Sequence, residues 1–358
     1  MLKYGLQFSA QNTFMTKQFD ALFPTINKTK TQGDIRSSPE DFNVSEDIKI
    51  DFTEQGEHLW FNIEKINSNT AWVASQLASA CKVPARQVGF AGMKDRHAVT
   101  QQWFSVQLPK ISDIELIKTK LPGEITVLEH HWHQSKLKTG QLSGNAFDLV
   151  VRNVSGDRTD IEDNIDTIKQ HGVPNYFGPQ RFGHDLNNMQ QAVDWFAGKF
   201  KVNNKKRRGI LISTARSHIF NLIVAERIRR GIWNQLIDGD IVQLDGSHSW
   251  FPTDNATETE LNKRLALFDI HITAALWGED TVQSTGQCAE IEQQIADTLP
   301  EYQPGFSKHR VKQERRALRV YPGQFSHHWE NDSLRLSFTL PPGAYATGVL
   351  REIIQIRT

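Results

Sequence analysis

Val88-Gly-Phe-Ala-Gly-Met-Lys-Asp-Arg-His-Ala-Val-Thr-Gln-Gln-Trp-Phe-Ser-Val106 is the stretch around which the rest of the chain is arranged. Gly89 and Gly92 allow the backbone to turn sharply or to pass close to a ligand. Lys94, Asp95 and Arg96 follow. Thr100 to Val106 then has the composition of a strand, with Val99, Trp103, Phe104 and Val106 as packing residues. Cations on either side favour the ionised form of a carboxylate. Asp95 is therefore available as a nucleophile or cation stabiliser rather than as a proton donor. A solvated charged turn would have the same composition, so this stretch alone does not separate the two readings.

The flanking sequence supplies strands on both sides and helices between them. Phe42, Val44, Ile48 and Ile50 mostly alternate with polar residues, as on a half-buried strand. His58 to Lys65 is a second strand. Asn67-Ser-Asn-Thr70 offers caps for a helix over 71–81, with Val73, Leu77 and Cys81 on one face. Ile111 to Leu121 is helical and Ile125 to Glu129 a short strand. Phe147, Leu149 and Val151 alternate, and 161–171 is amphipathic. Gly172-Val-Pro-Asn-Tyr-Phe-Gly-Pro-Gln-Arg-Phe-Gly183 is rich in Gly, Pro and aromatics and marks a domain boundary. Beyond it, Gly239 to Gly246 is a strand and tight turn, and Cys288 to Leu299 a helix. Leu265 to Ile272 is apolar without a deciding period. Leu318 to Pro322 and Leu334 to Leu340 return to strand patterns.

The 358 residues suffice for two domains or one large one, and 38% hydrophobic with 23% charged residues describes a soluble globular chain. Lys+Arg and Asp+Glu both number 41, so net charge neither favours nor excludes nucleic acid. The distribution is more informative. Lys199, Lys201, Lys205, Lys206, Arg207, Arg208, Arg216, Arg227, Arg229 and Arg230 face one acid, Glu226, within residues 199–230, whereas residues 254–301 are acidic. A second basic cluster holds Lys308, Arg310, Lys312, Arg315 and Arg316. The helical pattern Leu211 to Ile228, with Ser213 or Thr214 as a cap, would present arginines beside a Lys/Arg loop and so a surface for phosphates. A basic run is more often simply a solvated face. Cys81 and Cys288 are far apart and fit no metal pattern, so a reducing cytoplasm is expected. His130, His131 and His133 match no zinc spacing and lack thiolate partners, so no metal is expected. No apolar run reaches membrane-spanning length, and residues 1–14 lack the core of a signal peptide.

Ala91-Gly-Met-Lys-Asp-Arg-His-Ala-Val-Thr-Gln101 resembles the signature of the TruD family of tRNA pseudouridine synthases. Four further blocks resemble that family in the same order: Pro39-Glu-Asp-Phe42, Gly144-Asn-Ala-Phe147, the segment 172–183, and Pro341-Pro-Gly-Ala-Tyr-Ala-Thr-Gly-Val-Leu-Arg-Glu352. The family tends to have a small residue where Pro179 stands, and often Phe at Tyr345. The resemblance implies an α+β fold. Its pseudouridine-synthase core, a mixed and largely antiparallel sheet flanked by helices, would use residues 1–170 and 319–358. An inserted α/β domain over 171–318 would contact tRNA. It implies isomerisation of uridine to pseudouridine at position 13 of glutamate-type tRNA, without cofactor or metal, by a cytoplasmic monomer. Asp95 would be the nucleophile. Phe42, Asn145, Phe147 and Tyr345 would hold the flipped base, supported by Arg36, Glu40, Lys94 and Arg96. Arg181, Lys205, Lys206, Arg207, Arg208, Arg229 and Arg230 would contact RNA. Two other classes share some of these features. A tRNA-binding chaperone would need the basic surface but not Asp95, and a base-excising glycosylase would release free uracil.

Overall fold

The computed structural model describes residues 19–108, 113–255 and 257–357. The expected Ile111–Leu121 helix falls partly outside them. What is described is a short helix, Ile114–Lys118, capped by the Asp113 side chain.

The strands are β1 (Gln32–Ile35), β2 (Phe42–Asp47), β3 (His58–Ile66), β4 (Val88–Phe90), β5 (Val99–Gln107), β6 (Ile125–His133), β7 (Gly144–Ser155), β8 (Val173–Pro174), β9 (Ile241–Leu244), β10 (Trp250–Pro252), β11 (Ile270–Leu276), β12 (Glu314–Ala317), β13 (Arg319–Val320), β14 (Gly323–Glu330), β15 (Ser333–Leu340) and β16 (Gln355–Arg357). Ten of them form one mixed sheet in the order β14-β15-β7-β2-β5-β3-β6, with β1, β16 and β4 joined at its sides. Pairing is antiparallel except for β2 with β5 and β1 with β16. Alternation sets the register. Leu334, Leu336, Phe338 and Leu340 of β15 and Phe147, Leu149 and Val151 of β7 all point inward. Helices Arg158–His171 and Ala346–Ile353 cover this face with Ile161, Ile165, Ile168, Val349, Leu350 and Ile353. The smaller sheet β10-β9-β11-β12 packs on the long helix Lys205–Arg229. The fold is therefore α+β: a helix-flanked, largely antiparallel sheet with an inserted α/β unit.

The buried apolar side chains divide along the chain. A large cluster takes Tyr176 to Leu318 together with Phe19 and Phe23. Others take Phe42 to Ile168 with Val320 to Ile354. The two-stranded pair β8–β13 carries the chain from one group to the other and back. The helix expected from Leu211 starts instead at Lys205, because Asn204 accepts the Arg207 amide at 3.1 Å. Thr214, one of the expected caps, lies in the helix interior and donates to the Ile210 and Arg181 carbonyls. The undecided stretch 265–272 divides into the end of helix Glu258–Ala266 and the start of β11. Pro179 stands at the first turn of a 3-10 helix, where its missing N–H costs nothing.

Glu352, 1% exposed, ties the N-terminal segment to the helix Ala346–Ile353 that covers the sheet. Its Oε2 accepts the amides of Ile26 at 2.9 Å and Asn27 at 3.1 Å. Burial pushes its carboxyl up to about 7, against the pull of those amides and of Arg351. The folded protein thus holds this proton more tightly than the unfolded chain, and stability falls as pH rises from about 4.5 to about 7. Glu352→Gln keeps an acceptor but does not titrate. Urea unfolding at pH 5 and 7.5 should show wild type losing up to about 3 kcal/mol relative to the variant across that interval. Parallel pH profiles would count against this role of Glu352.

Candidate active site

Asp95 lies on the turn between β4 and β5, with its side chain 43% exposed. Neighbouring residues on an extended turn point to opposite sides, and this separates the cations beside it. Lys94 points inward. Its Nζ contacts Glu46 Oε1 at 2.8 Å and donates to Asn145 Oδ1 at 2.6 Å, and the Glu46 side chain is fully buried. Arg96 is exposed on the turn. The cation that reaches the Asp95 carboxylate is Arg36, whose Nη2 lies 3.2 Å from Oδ2.

Arg36 is aimed by its backbone. Its φ of 57° is left-handed, a conformation that costs a side-chain-bearing residue about 1–2 kcal/mol. The guanidinium then lies 4.0 Å above the centre of the Phe42 ring. The Pro39–Asp41 turn before Phe42 is secured by Asp41, not by Glu40. Asp41 is 1% exposed, accepts the Ser38 amide, and takes Arg152 in a bidentate pair. Glu40 is exposed, and its backbone carbonyl accepts from Asn43.

The sheet register gathers the remaining residues. Glu46 pairs with Asn145, Val44 with Phe147, and Phe42 with Leu149, so Phe42, Glu46, Asn145 and Phe147 share one face. Phe42 and Phe147 are 2% and 8% exposed, and Phe147 stacks on Phe338 with centroids 5.4 Å apart. They form the apolar floor of the site. Leu340 pairs with Asn145, so the loop Pro341–Tyr345 leaves the sheet beside it. Tyr345 is half-buried, with its ring against Gly178: a Cβ added there would lie 3.5 Å from the ring. Gly89 is required by close approach, since a Cβ would meet the Leu137 carbonyl at 2.4 Å; at Gly92 the nearest atom is 3.9 Å away.

Lys65 is a further residue of the site that the sequence reading passed over as the end of a strand. It is fully buried beneath the turn, and its Nζ donates to the backbone carbonyls of Asp95 at 2.9 Å and Ser68 at 2.7 Å. The turn is also held by Thr70, which accepts the Lys94 amide, and by Gln102, which donates to the Gly92 carbonyl. Burial pushes the Lys65 ammonium down to about 8; Asp95 opposes that shift and Lys94 adds to it. The signal was present in the alternation: Leu59, Phe61 and Ile63 occupy the buried series that Lys65 continues.

The basic residues separate into two kinds. Arg227 is buried against Asp240 and Arg315 against Glu292, and Arg216 donates to the carbonyls of Leu276, Trp277 and Lys312; these hold the insertion together. Arg229 and Arg230 lie at the C-terminal end of their helix, both beside Glu226. Lys205, Lys206 and Arg208 are exposed in its first turn, and Arg207 there contacts Gln191. The positive end of the helix dipole disfavours this placement of cations, so helix stability does not explain them. Burial, and then the charges of Lys308 and Arg208, push the His309 imidazole down, so a residue of each basic cluster lies near it. Elsewhere His131 stacks on Phe52 at 4.4 Å and pairs with Glu54. Among the described residues no helix is long and apolar enough to cross a membrane.

The mixed sheet thus presents a carboxylate on a turn with an arginine against it, and buried aromatic rings on the neighbouring strands. The fold is that of a crystal structure of a Methanosarcina mazei protein assigned to tRNA pseudouridine synthase D, with a TM-score of 0.71 over 92% of this chain and 95% of that one at 24% identity. The family model described as tRNA pseudouridine synthase D (TruD) matches residues 21–192 and 184–353. The tRNA pseudouridine synthase D of Hydrogenovibrio crunogenus is 42% identical over 90% of this chain and 93% of its own length. That of Vibrio parahaemolyticus is 37% identical over 95% and 97%. The chain belongs to the TruD family of tRNA pseudouridine synthases.

Lys65 lends itself to a direct test. Below about pH 8 its buried ammonium lowers stability, and the folded protein gains stability as pH rises from about 8 to 10.5. Lys65→Met should remove that gain in urea unfolding at pH 7.5 and 9.5. It should also lower the single-turnover rate about tenfold or more by loosening the Asp95 turn. An unchanged rate would show that the turn holds its shape without Lys65.

Proposed function

We propose that this chain isomerises uridine to pseudouridine in tRNA, at position 13 of glutamate-type tRNA, with Asp95 as the nucleophile. The observation that carries the reading is the Asp95 turn itself. Its carboxylate is accessible, and the Arg36 guanidinium lies against it. Lys65 holds the backbone of that turn, and Lys94 ties it to the sheet. The reaction breaks N1–C1′, turns the base and joins C5 to C1′; the C5 proton leaves to water and N1 takes up a proton from water. Cleavage puts positive character on the sugar, which an ionised carboxylate captures or stabilises.

The uridine must leave its stack to reach Asp95. Phe42 and Phe147 supply the apolar floor, Tyr345 a partly exposed face, and Asn145 a polar group for the uracil edge or for the turn. Arg96, exposed on the turn, is placed to meet phosphate. Residues 171–318 are the inserted domain and 1–170 with 319–358 the core. The separate apolar clusters and the β8–β13 crossing favour this division, although Phe19 and Phe23 pack with the insertion. Both cysteines are free, in keeping with a reducing cytoplasm. We take the protein to act there as a monomer.

Bacterial tRNA tritiated at uridine C5 tests the chemistry. Wild type should release tritium with the base still attached to the tRNA. Asp95→Ala should release none while binding tRNA within about threefold of wild type. Release by neither protein, with both binding tightly, would favour an RNA chaperone, and free uracil a glycosylase.

Neutralising Lys205, Lys206, Arg207 and Arg208 together should weaken tRNA binding. The slope of log affinity against log salt should fall by up to about 3 if all four meet phosphates. An unchanged slope would remove the start of this helix from the interface.

A further inference from the structure

Where the insertion meets the loop after β15, two arginines share one aromatic ring. The Arg316 guanidinium lies 4.2 Å from the centre of Phe177, and that of Arg181 lies 5.2 Å from it. The ring is a fixed platform. Phe177 is 8% exposed, and Asn221, fully buried on the long helix, bonds both its amide and its carbonyl at 2.9 Å. Among the described residues Arg316 reaches neutral acceptors alone: Asn175 Oδ1 at 2.6 Å, the Gly343 carbonyl at 3.0 Å and the Asn175 carbonyl at 3.4 Å. Among the described residues Arg181 Nε is buried without a hydrogen-bond partner. Among the described residues neither guanidinium has a carboxylate within ion-pair distance, in contrast to Arg227 and Arg315 of the same region. Burial is the main cause that pushes Arg316 down to about 10, and Arg181 adds to it.

Two unneutralised cations on one rigid ring repel each other. The ring face offsets part of that cost, and an anion seated between them would offset more. The position indicates which anion. Gly343, held by Arg316, is three residues beyond Leu340, which pairs with Asn145; Asn145 in turn takes Lys94, the neighbour of Asp95. Three residues span at most about 11 Å. Tyr345 lies on the same loop, with its ring on Gly178 between Phe177 and Arg181 in sequence.

We infer that Arg181 and Arg316 form a clamp for a backbone phosphate of the RNA strand beside the target nucleotide, and so fix the strand where the base leaves it. Planar guanidinium groups suit phosphate oxygens, and Tyr345 lies where the neighbouring nucleotide would pass. This deepens the tRNA reading and rests on it. The clamp joins the insertion, through Arg181 and Arg316, to the core loop, through Gly343. It therefore couples binding of the strand to the geometry between them.

The test measures tRNA affinity against salt for wild type, Arg181→Gln, Arg316→Gln and the double variant. It uses unmodified tRNA and tRNA with a methylphosphonate at the phosphate 5′ or 3′ of the target uridine. In the double variant the slope of log affinity against log salt should fall by about 0.7 to 0.9, the loss of one phosphate contact, with Kd raised about tenfold. One methylphosphonate should weaken wild type to the same extent and leave the double variant unaffected.

Arg316 also braces Asn175 and Gly343, so its loss could act by unfolding the junction. Arg181→Gln, with an unchanged melting temperature, is the variant free of that ambiguity, and Arg316→Lys should recover part of the affinity. An unchanged slope in Arg181→Gln, or methylphosphonate effects that multiply with those of the arginine variants, would overturn the clamp. A wild type that releases no tritium would instead overturn the isomerase reading, while the salt slopes would still report on the clamp.

Discussion

A buried ion pair holds the candidate site together. Lys94 Nζ sits between Glu46 and Asn145, on neighbouring strands of the central sheet. An unpaired charge in that position would be costly, so the turn carrying Lys94 must dock there and nowhere else. Once Lys94 is inward, Asp95 faces out and Arg36 can reach it. Glu46 also accepts the Trp103 amide at 2.9 Å, which ties the same network to β5. The pair therefore sets the orientation of the carboxylate as much as it contributes to stability.

Positive charge around Asp95 is arranged in layers. Arg36 touches the carboxylate, Lys65 holds the backbone carbonyl of the same residue, and Lys94 stands one residue away with its own counterion. Lys65 has no carboxylate of its own within ion-pair distance among the described residues, so its field falls on the Asp95 turn. Arg36 accepts a left-handed backbone to take its place over Phe42. Strain and a buried cation at one turn are costs that the surrounding sheet must offset.

The insertion distributes its arginines by a similar logic. Those with a buried carboxylate, Arg227 and Arg315, act as internal braces. Arg207 and Arg208 at the first turn of the long helix, and Arg181 and Arg316 at the junction with the core loop, have no carboxylate within ion-pair distance among the described residues. A neutral chain can in this way present locally basic surfaces, because its charges are unevenly distributed, with residues 254–301 acidic. Tyr345 and Phe19 cross between the two apolar groups, so the junction is packed and not merely hinged.

The alternation of Phe147, Leu149 and Val151, and of Leu334 to Leu340, was enough to identify the central strands. The period of 2 is a local property and follows from which face must be buried. Five motifs in order were enough to indicate the family. The sequence also singled out Asp95, but it left open which cation met it, because Lys94 and Arg96 are equally near along the chain. Only the fold decided for Arg36, which is distant in sequence and is brought there by the β2–β5 and β2–β7 registers. The start of the long helix was misplaced because Asn204 caps a run of cations that local pattern assigned to a loop. Lys65 was missed because a lysine at the end of a strand is ordinarily solvated; its burial depends on Ser68, the Asp95 turn and β5 closing over it. Local periodicity and composition thus determined the elements, and long-range pairing decided which charges face each other, since ion pairs depend on distances in space that no stretch of sequence contains.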